Sequence, residues 1–304
     1  MDQLIKFTTD FIVGGVSAGV SKTINAPLER CKLLLQTQPG MYKSVLDCLV
    51  RMPKEEGFFS YWKGNGTNVM RYFPTQALNF AINDTVNDAL FPKGKRNYSY
   101  WSQMGRGMIA GGAAGGASLA FVYSLDLVRT RLSTDIGKKG EKQYKGFLDC
   151  YGQTWKEGGI RALYKGFGIS VVGIIPYRAV YFGGYDTLKA IFLTKDSSFF
   201  LKWFVSQSNT ILAQFLTYPI DTIRRVQMLG GTKKKDGSIY PNYRNAWHCF
   251  VVILKERGVP GLFKGALANT YRATGAALCM VFYDTFQGAM KEQRAKEAQE
   301  KKDK

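Results

Sequence analysis

The chain has 304 residues and a formal net charge of +19, from 42 Lys+Arg against 23 Asp+Glu. One histidine, His248, and no Cys-x-x-Cys pair among five cysteines leave no ligand set for zinc, so no metal or other cofactor is expected. The positive charge admits nucleic acid, anionic lipid or an anionic solute. Basic residues are spread along the whole chain, however, and no zinc-finger, homeodomain or RNA-recognition signature occurs. A nucleic-acid partner is therefore not expected.

The first predicted element is an apolar helix over 10–36. It carries Gly15-x3-Gly19, Lys22 and Pro27-x-Glu29-x-x-Lys32, with Gln36 one turn on. A polar stretch with a short amphipathic helix follows, marked by Tyr42-Lys43, Cys48, Lys54-Glu55-x-Gly57 and Trp62-Lys63-Gly64. Arg71 then precedes a second apolar helix over 73–91, which holds Pro74, Asn79 and Asp84.

The same order then returns. A helix over 105–132 carries Gly112-x3-Gly116 and Ser124-x-Asp126-x-x-Arg129. Tyr144-Lys145, Cys150, Lys156-Glu157-x-Gly159 and Tyr164-Lys165-Gly166 follow. The helix over 171–193 holds Gly173, Pro176 and Tyr185-Asp186-x-x-Lys189. In the third copy, the helix over 203–228 carries Pro219-x-Asp221-x-x-Arg224 and Arg225. Tyr243-Arg244, Cys249, Lys255-Glu256-x-Gly258 and Phe263-Lys264-Gly265 follow. The last helix, over 268–290, holds Arg272, Gly275 and Tyr283-Asp284-x-x-Gln287.

In every copy the tyrosine lies 21 residues, and the first lysine nine, before the lysine of the aromatic-Lys-Gly triad. Copies in register at fixed offsets are an internal triplication. The expected units are 1–99, 100–197 and 198–290, with a charged tail at 291–304. An enzyme with one active site has no need of three copies, whereas a threefold pore or gate has; no catalytic residue is expected. The six apolar helices are each about long enough to cross about 30 Å of hydrocarbon. They carry isolated charges on one side, which suits a bundle around a polar interior. The predicted fold is an all-α membrane protein, six transmembrane helices in three repeats with pseudo-threefold symmetry.

Three constellations carry function. At one end, each acid of the proline or serine motif can pair with the base of another repeat: Glu29 with Arg129, Asp126 with Arg224, Asp221 with Lys32. Gln36 can brace that ring. At the opposite end Asp84, Asp186 and Asp284 repeat, but only Lys189 keeps the base, with Asn87 and Gln287 in the other copies. Between the two ends lie Lys22, Arg71, Arg272 and Arg225, without an acid in the helix centres. Guanidinium and ammonium groups together suit phosphate. Gly173 replaces the repeat arginine in copy two, and with Ile174, Tyr177 and Arg178 suggests a slot for a flat ring. Asn79 and Tyr181 share the next repeat position.

These motifs resemble those of the mitochondrial carrier family, with the triple Pro-x-[Asp/Glu]-x-x-[Lys/Arg] signature, over residues 5 to 290. Within that family, Val16–Gln36, Arg71–Phe80 and Leu125–Arg131 are most similar to the ADP/ATP carriers. The resemblance implies six tilted helices, three short matrix helices and one central site reached alternately from either side of the mitochondrial inner membrane. It implies ADP and ATP as partners, with Lys22, Arg71, Arg225 and Arg272 at phosphate-contact positions and Gly173, Ile174 and Tyr177 at the adenine pocket. It also implies anionic lipid, cardiolipin, at the matrix side. The end with the Glu29–Lys32 type motifs becomes the matrix gate and the other the cytoplasmic gate. The signature Arg-Arg-Arg-Met-Met-Met of the ADP/ATP carriers reads Arg-Arg-Val-Gln-Met-Leu at 224–229. Two alternatives stay open: a structural or assembly subunit of a larger membrane complex, and a carrier of another phosphorylated or adenine-containing solute.

The unequal gates carry a testable consequence. Three acids with one lysine close less firmly than three complete pairs, because neutral hydrogen bonds are weaker than charge-assisted ones. The form closed at the matrix gate is expected to dominate at rest. The double substitution Asn87→Lys with Gln287→Lys should shift molecules towards the matrix-open form, as read by state-specific cysteine labelling of the cavity.

Overall fold

The computed structural model describes residues 2–38, 40–90, 100–137, 142–194, 197–234 and 237–275. Its helices are α1 (Asp2–Thr37), α2 (Val45–Glu56), α3 (Asn65–Leu90), α4 (Tyr100–Thr134), α5 (Phe147–Leu163), α6 (Phe167–Phe192), α7 (Phe199–Met228) and α8 (Ala246–Leu262). Residues 266–275 are helical and are labelled α9. A 3-10 turn, Phe58–Trp62, joins α2 to α3. Each repeat is thus a first long helix (α1, α4 and α7, the odd helices of the six), a short connecting helix (α2, α5 and α8) and a second helix (α3, α6 and α9, the even helices). The charged tail at 291–304 and Asp284 lie outside the described residues.

The even helices begin earlier than the hydropathy pattern predicts, and the cause is local. Gly64, Gly166 and Gly265 adopt φ of 77°, 80° and 85°, a left-handed turn that releases the chain directly into α3, α6 and α9. A side chain there would also collide with the odd helix of the next repeat. A Cβ on Gly166 would lie 3.2 Å from the Arg224 carbonyl oxygen, and one on Gly265 3.0 Å from that of Lys32. The last glycine of the aromatic-Lys-Gly triad therefore fixes both the start of a helix and a seam between repeats. Gly15 and Gly19 serve the seam within repeat one, where a Cβ would meet Phe73 and Val69 of α3.

The helix runs unbroken through Pro27 in α1 and through Pro219 in α7. Among the described residues only α6 is both long and apolar enough to cross a membrane by itself. The other long helices carry too many polar groups, and several of those groups turn inward.

Three apolar clusters pack each short connecting helix onto the end of its odd helix. Cys31 and Leu34 of α1 meet Cys48 and Met52 of α2. Tyr123 and Leu127 of α4 meet Cys150 of α5. Ile223 and Val226 of α7 meet Cys249 and Ile253 of α8. Cys31, Cys48, Cys150 and Cys249 are buried free thiols. Burial pushes Cys150 and Cys249 up to about 12, which leaves them protonated and inert at neutral pH.

Charged struts reinforce two of the three seams. Glu56 of repeat one binds Arg30 at 2.9 Å and also Lys63. Arg30 donates to the Ser133 carbonyl at 3.0 Å and Lys63 to that of Asp135 at 3.0 Å, both in repeat two. Glu157 of repeat two binds Arg131 at 2.9 Å. Arg131 and Lys165 then donate to the Gly230 carbonyl of repeat three at 3.1 and 3.0 Å. In repeat three Thr222 stands at the position of Arg30 and Val226 at that of Arg131, both fully buried, and Glu256 and Lys264 are exposed.

The contrast is measurable by thermal unfolding in mild detergent. Glu56→Gln leaves Arg30 and Lys63 buried without their carboxylate, and should cost about 3–5 kcal/mol. Glu256→Gln, at an exposed position of α8, should stay within about 0.5 kcal/mol of the parent.

Candidate functional site

The ends of α1, α4 and α7 converge on a ring of three ion pairs between repeats. Lys32 of α1 binds Asp221 of α7 at 2.8 Å. Arg129 of α4 binds Glu29 of α1, and Arg224 of α7 binds Asp126 of α4. These are the pairs that alternation of sign around a threefold axis requires. Gln36 donates to Asp221 at 3.3 Å and to Thr222 at 2.9 Å, both on α7. Aromatic faces support the bases: Lys32 sits 5.4 Å from the Tyr218 ring and Arg224 5.6 Å from that of Tyr123.

The pairing is not one to one. Arg225 reaches Asp126 at 3.5 Å and Asp221 at 3.6 Å, and donates to the Thr130 hydroxyl at 2.7 Å. Arg71 lies 4.0 Å from Asp126, and Arg129 3.9 Å. The expectation that Arg71 and Arg225 lack a neighbouring acid is therefore corrected. Both lie close above the ring, and the buried Asp126 carboxylate attracts every guanidinium within reach. The Nε groups of Arg71, Arg224 and Arg225 remain buried without a hydrogen-bond acceptor.

Lys22 and Arg272 differ. Among the described residues neither has a carboxylate within ion-pair distance. The Lys22 ammonium lies 4.4 Å from the Tyr72 ring centre and 3.5 Å from the Asn68 carbonyl oxygen. Arg272 donates twice to the Asn269 side-chain oxygen, at 3.3 and 3.2 Å. Asn269 in turn donates to Gln214 at 2.5 Å.

A cavity of about 340 Å³ opens between α6, α7 and α9 directly above the ring. Lys32, Asp221, Arg224 and Arg225 form its floor, and Gly173, Ile174, Tyr177 and Arg272 its sides. It thus joins cations at one end to an aliphatic and aromatic wall at the other. Gly173 does less than the sequence suggests. A Cβ there would lie 2.8 Å from Ile220, so its missing side chain admits α7 as well as a ligand. Tyr177 stacks on Tyr181 with ring centres 5.8 Å apart, which holds its face upright.

Arg178 stands apart from the cavity. Its guanidinium lies 3.0 Å from where a Gly115 Cβ would sit, against α4. Tyr177 and Arg178 are adjacent on one helix, about 100° apart, and cannot share a face. Lys189 is exposed near the far end of α6. The side chains of Asn79, Asp84 and Asp186, like the whole of Asp284, lie outside the described residues.

One set of cavity and ring residues escaped the sequence reading. Asn68, Ser170 and Asn269 occupy one repeat position, three residues before Arg71, Gly173 and Arg272. Asn68 donates to Glu29 at 3.0 Å, while Ser170 and Asn269 line the cavity. A short polar residue in all three copies was the available signal. Tyr218, whose hydroxyl donates to the Lys264 carbonyl, and Thr217 complete the lining.

Comparison with known proteins follows the same periodicity. The family described as mitochondrial carrier protein matches residues 3–94, 100–196 and 195–294. The chain is 43% identical to ADP/ATP translocase 2 of Bos taurus over 293 residues, covering 93% of this chain and 97% of that one. It is 46% identical to ADP/ATP translocase 4 of Homo sapiens over 288 residues, covering 91% and 90%. The corresponding figure for ADP/ATP translocase 4 of Mus musculus is 45% over 290 residues, covering 92% and 89%. Three matches in step with three repeated helix units, and relatives aligned almost end to end, make this chain a member of the mitochondrial carrier protein family.

Proposed function

We propose that this chain is a multi-pass carrier of the mitochondrial inner membrane that exchanges ADP for ATP by alternating access. The observation that carries the reading is the cavity above the ring, with Arg272 at its side and the buried Nε donors of Arg224 and Arg225 at its floor. A cation without a carboxylate at this depth is stabilised by an anion, and arginine binds phosphoryl oxygens through its forked donors. Lys22 and the Arg71 Nε group add cationic donors from α1 and α3. Ile174 and Tyr177 offer an apolar wall suited to a flat base. The relatives named as ADP/ATP translocases support the same substrates.

In this reading Glu29, Lys32, Gln36, Asp126, Arg129, Asp221 and Arg224 form the matrix gate. Asp84, Asp186, Lys189 and Asp284 belong to the cytoplasmic gate. No bond is made or broken. Substrate phosphate competes with Asp126 and Asp221 for Arg225, which loosens the ring when the cavity is filled. Anionic lipid bound at the matrix side completes the proposed set of partners.

A second reading, a carrier-fold subunit of a larger membrane complex, is favoured by Val226, which stands where repeat two has the strut arginine Arg131. Purified protein in liposomes separates the two. Uptake of labelled ADP against internal ATP is expected; no uptake, together with co-purification in a larger complex, would support the second reading.

Within the carrier reading, Arg272→Ala should remove a charge-assisted phosphate contact, about 1.5–3 kcal/mol. That is roughly 10- to 150-fold in nucleotide affinity, read as a reduced thermal shift on adding ADP. Arg178→Ala, whose side chain packs on α4, should leave that shift nearly unchanged. Equal losses in both variants would remove the cavity from the mechanism.

A further inference from the structure

Among the described residues, only the connection from α7 to α8 carries an antiparallel bridge. It folds back as a small hairpin, with an antiparallel bridge between Lys233 and Ile239. Gly231 N–H donates to the Tyr240 carbonyl at 2.9 Å, and Tyr240 N–H to that of Thr232 at 2.8 Å. The first strand is held to repeat two. The Gly230 carbonyl accepts from Arg131 and Lys165, and Lys233 N–H donates to Gln143 at 3.0 Å. The second strand is tied to Lys165 at its far end, through Asn242 at 2.9 Å, and also reaches repeat one. There the buried Tyr240 donates its hydroxyl to the Thr37 carbonyl, at the end of α1, at 3.1 Å. The hairpin therefore touches all three repeats at the matrix end.

Tyr240 stands three residues before the repeat tyrosine Tyr243, where the other copies have Pro39 and Glu141. It belongs to the seam at which, among the described residues, no Arg–Glu strut occurs. Two seams are braced by Arg–Glu pairs that reach the next repeat. Beyond the Lys32–Asp221 pair, the seam between repeats three and one is braced by the neutral bonds of Tyr240 and of Gln36 with Thr222. Neutral hydrogen bonds are about half as strong as charge-assisted ones.

We propose that residues 229–234 and 237–243 form a strap across the matrix mouth, anchored by charge to repeat two and latched to repeat one by Tyr240. Opening to the matrix then begins at the seam between repeats three and one, when Tyr240 leaves Thr37. Tyr240 is a positioning residue for the closed state and does not contact the transported solute. The proposal rests on the alternating-access reading.

The test uses full-length protein in sealed vesicles of known orientation, with Thr217→Cys as a reporter in the cavity and the parent protein as background. An impermeant maleimide is applied from each face. Adding Tyr240→Phe, which keeps the ring and removes the donor, should speed labelling from the matrix face about two- to tenfold. Labelling from the opposite face should fall. No change, or equal acceleration from both faces, overturns the strap. In the same vesicles, failure of the parent protein to exchange ADP for ATP would sink the transport reading while a matrix-face shift would leave the strap standing. Hydrogen exchange on the unsubstituted protein supplies a second measurement that needs no folded variant at position 240. Amides of 237–243 should exchange faster than those of 229–234, and uniform protection across the hairpin would also overturn the proposal.

Discussion

The closed end of this molecule depends on one buried carboxylate. Asp126 of α4 binds Arg224 and lies within ion-pair reach of Arg225, Arg71 and Arg129. Those partners come from α7, α3 and α4, so a single side chain draws all three repeats together. From it the network continues through Arg129 to Glu29 and through Arg225 to Asp221 and Lys32. A charge in such a setting is tolerated only when paired and hydrogen-bonded. Here three carboxylates face five basic side chains, which leaves the ring electropositive. A fully neutral ring would hold the bundle shut equally well but would have nothing to offer an anion arriving from above.

Much of this was legible in the sequence because the chain repeats itself. Fixed offsets between Glu29, Asp126 and Asp221, and their bases, specify both the helix units and the sign of each partner. The glycines at 64, 166 and 265 marked the same joints, although hydropathy placed the following helices several residues too late. What was not legible depends on distance across repeats. Nothing in the spacing reveals that Arg71 and Arg225 fall beside Asp126, or that Ile220 fills the space beside Gly173. Asn68, Ser170 and Asn269 escaped for another reason: short polar residues carry no sign, so their recurrence lacked the contrast of alternating charge. Tyr177 and Arg178 were read together although a helix points adjacent residues apart.

Departures from symmetry are concentrated in repeat three. Val226 stands where repeat two has Arg131, Glu256 and Lys264 are exposed, and a hairpin with a buried tyrosine bonds across to repeat one. The cavity is also one-sided, set between α6, α7 and α9. A threefold scaffold supplies the frame, and the solute, which has no threefold symmetry, is met by residues that differ from copy to copy.

The Lys32–Asp221 bond spans 189 residues of chain. The ring is thus a circle closed by its most distant members, while each repeat presents an acid or base whose partner belongs to another unit. During synthesis the first repeat emerges with Lys32 and Glu29 both unmatched, and it must wait for α4 and then α7. Contacts of such long sequence separation form late and slowly. The same geometry that closes the ring in the finished bundle leaves its early portions with bare, unmatched charges until the third repeat arrives.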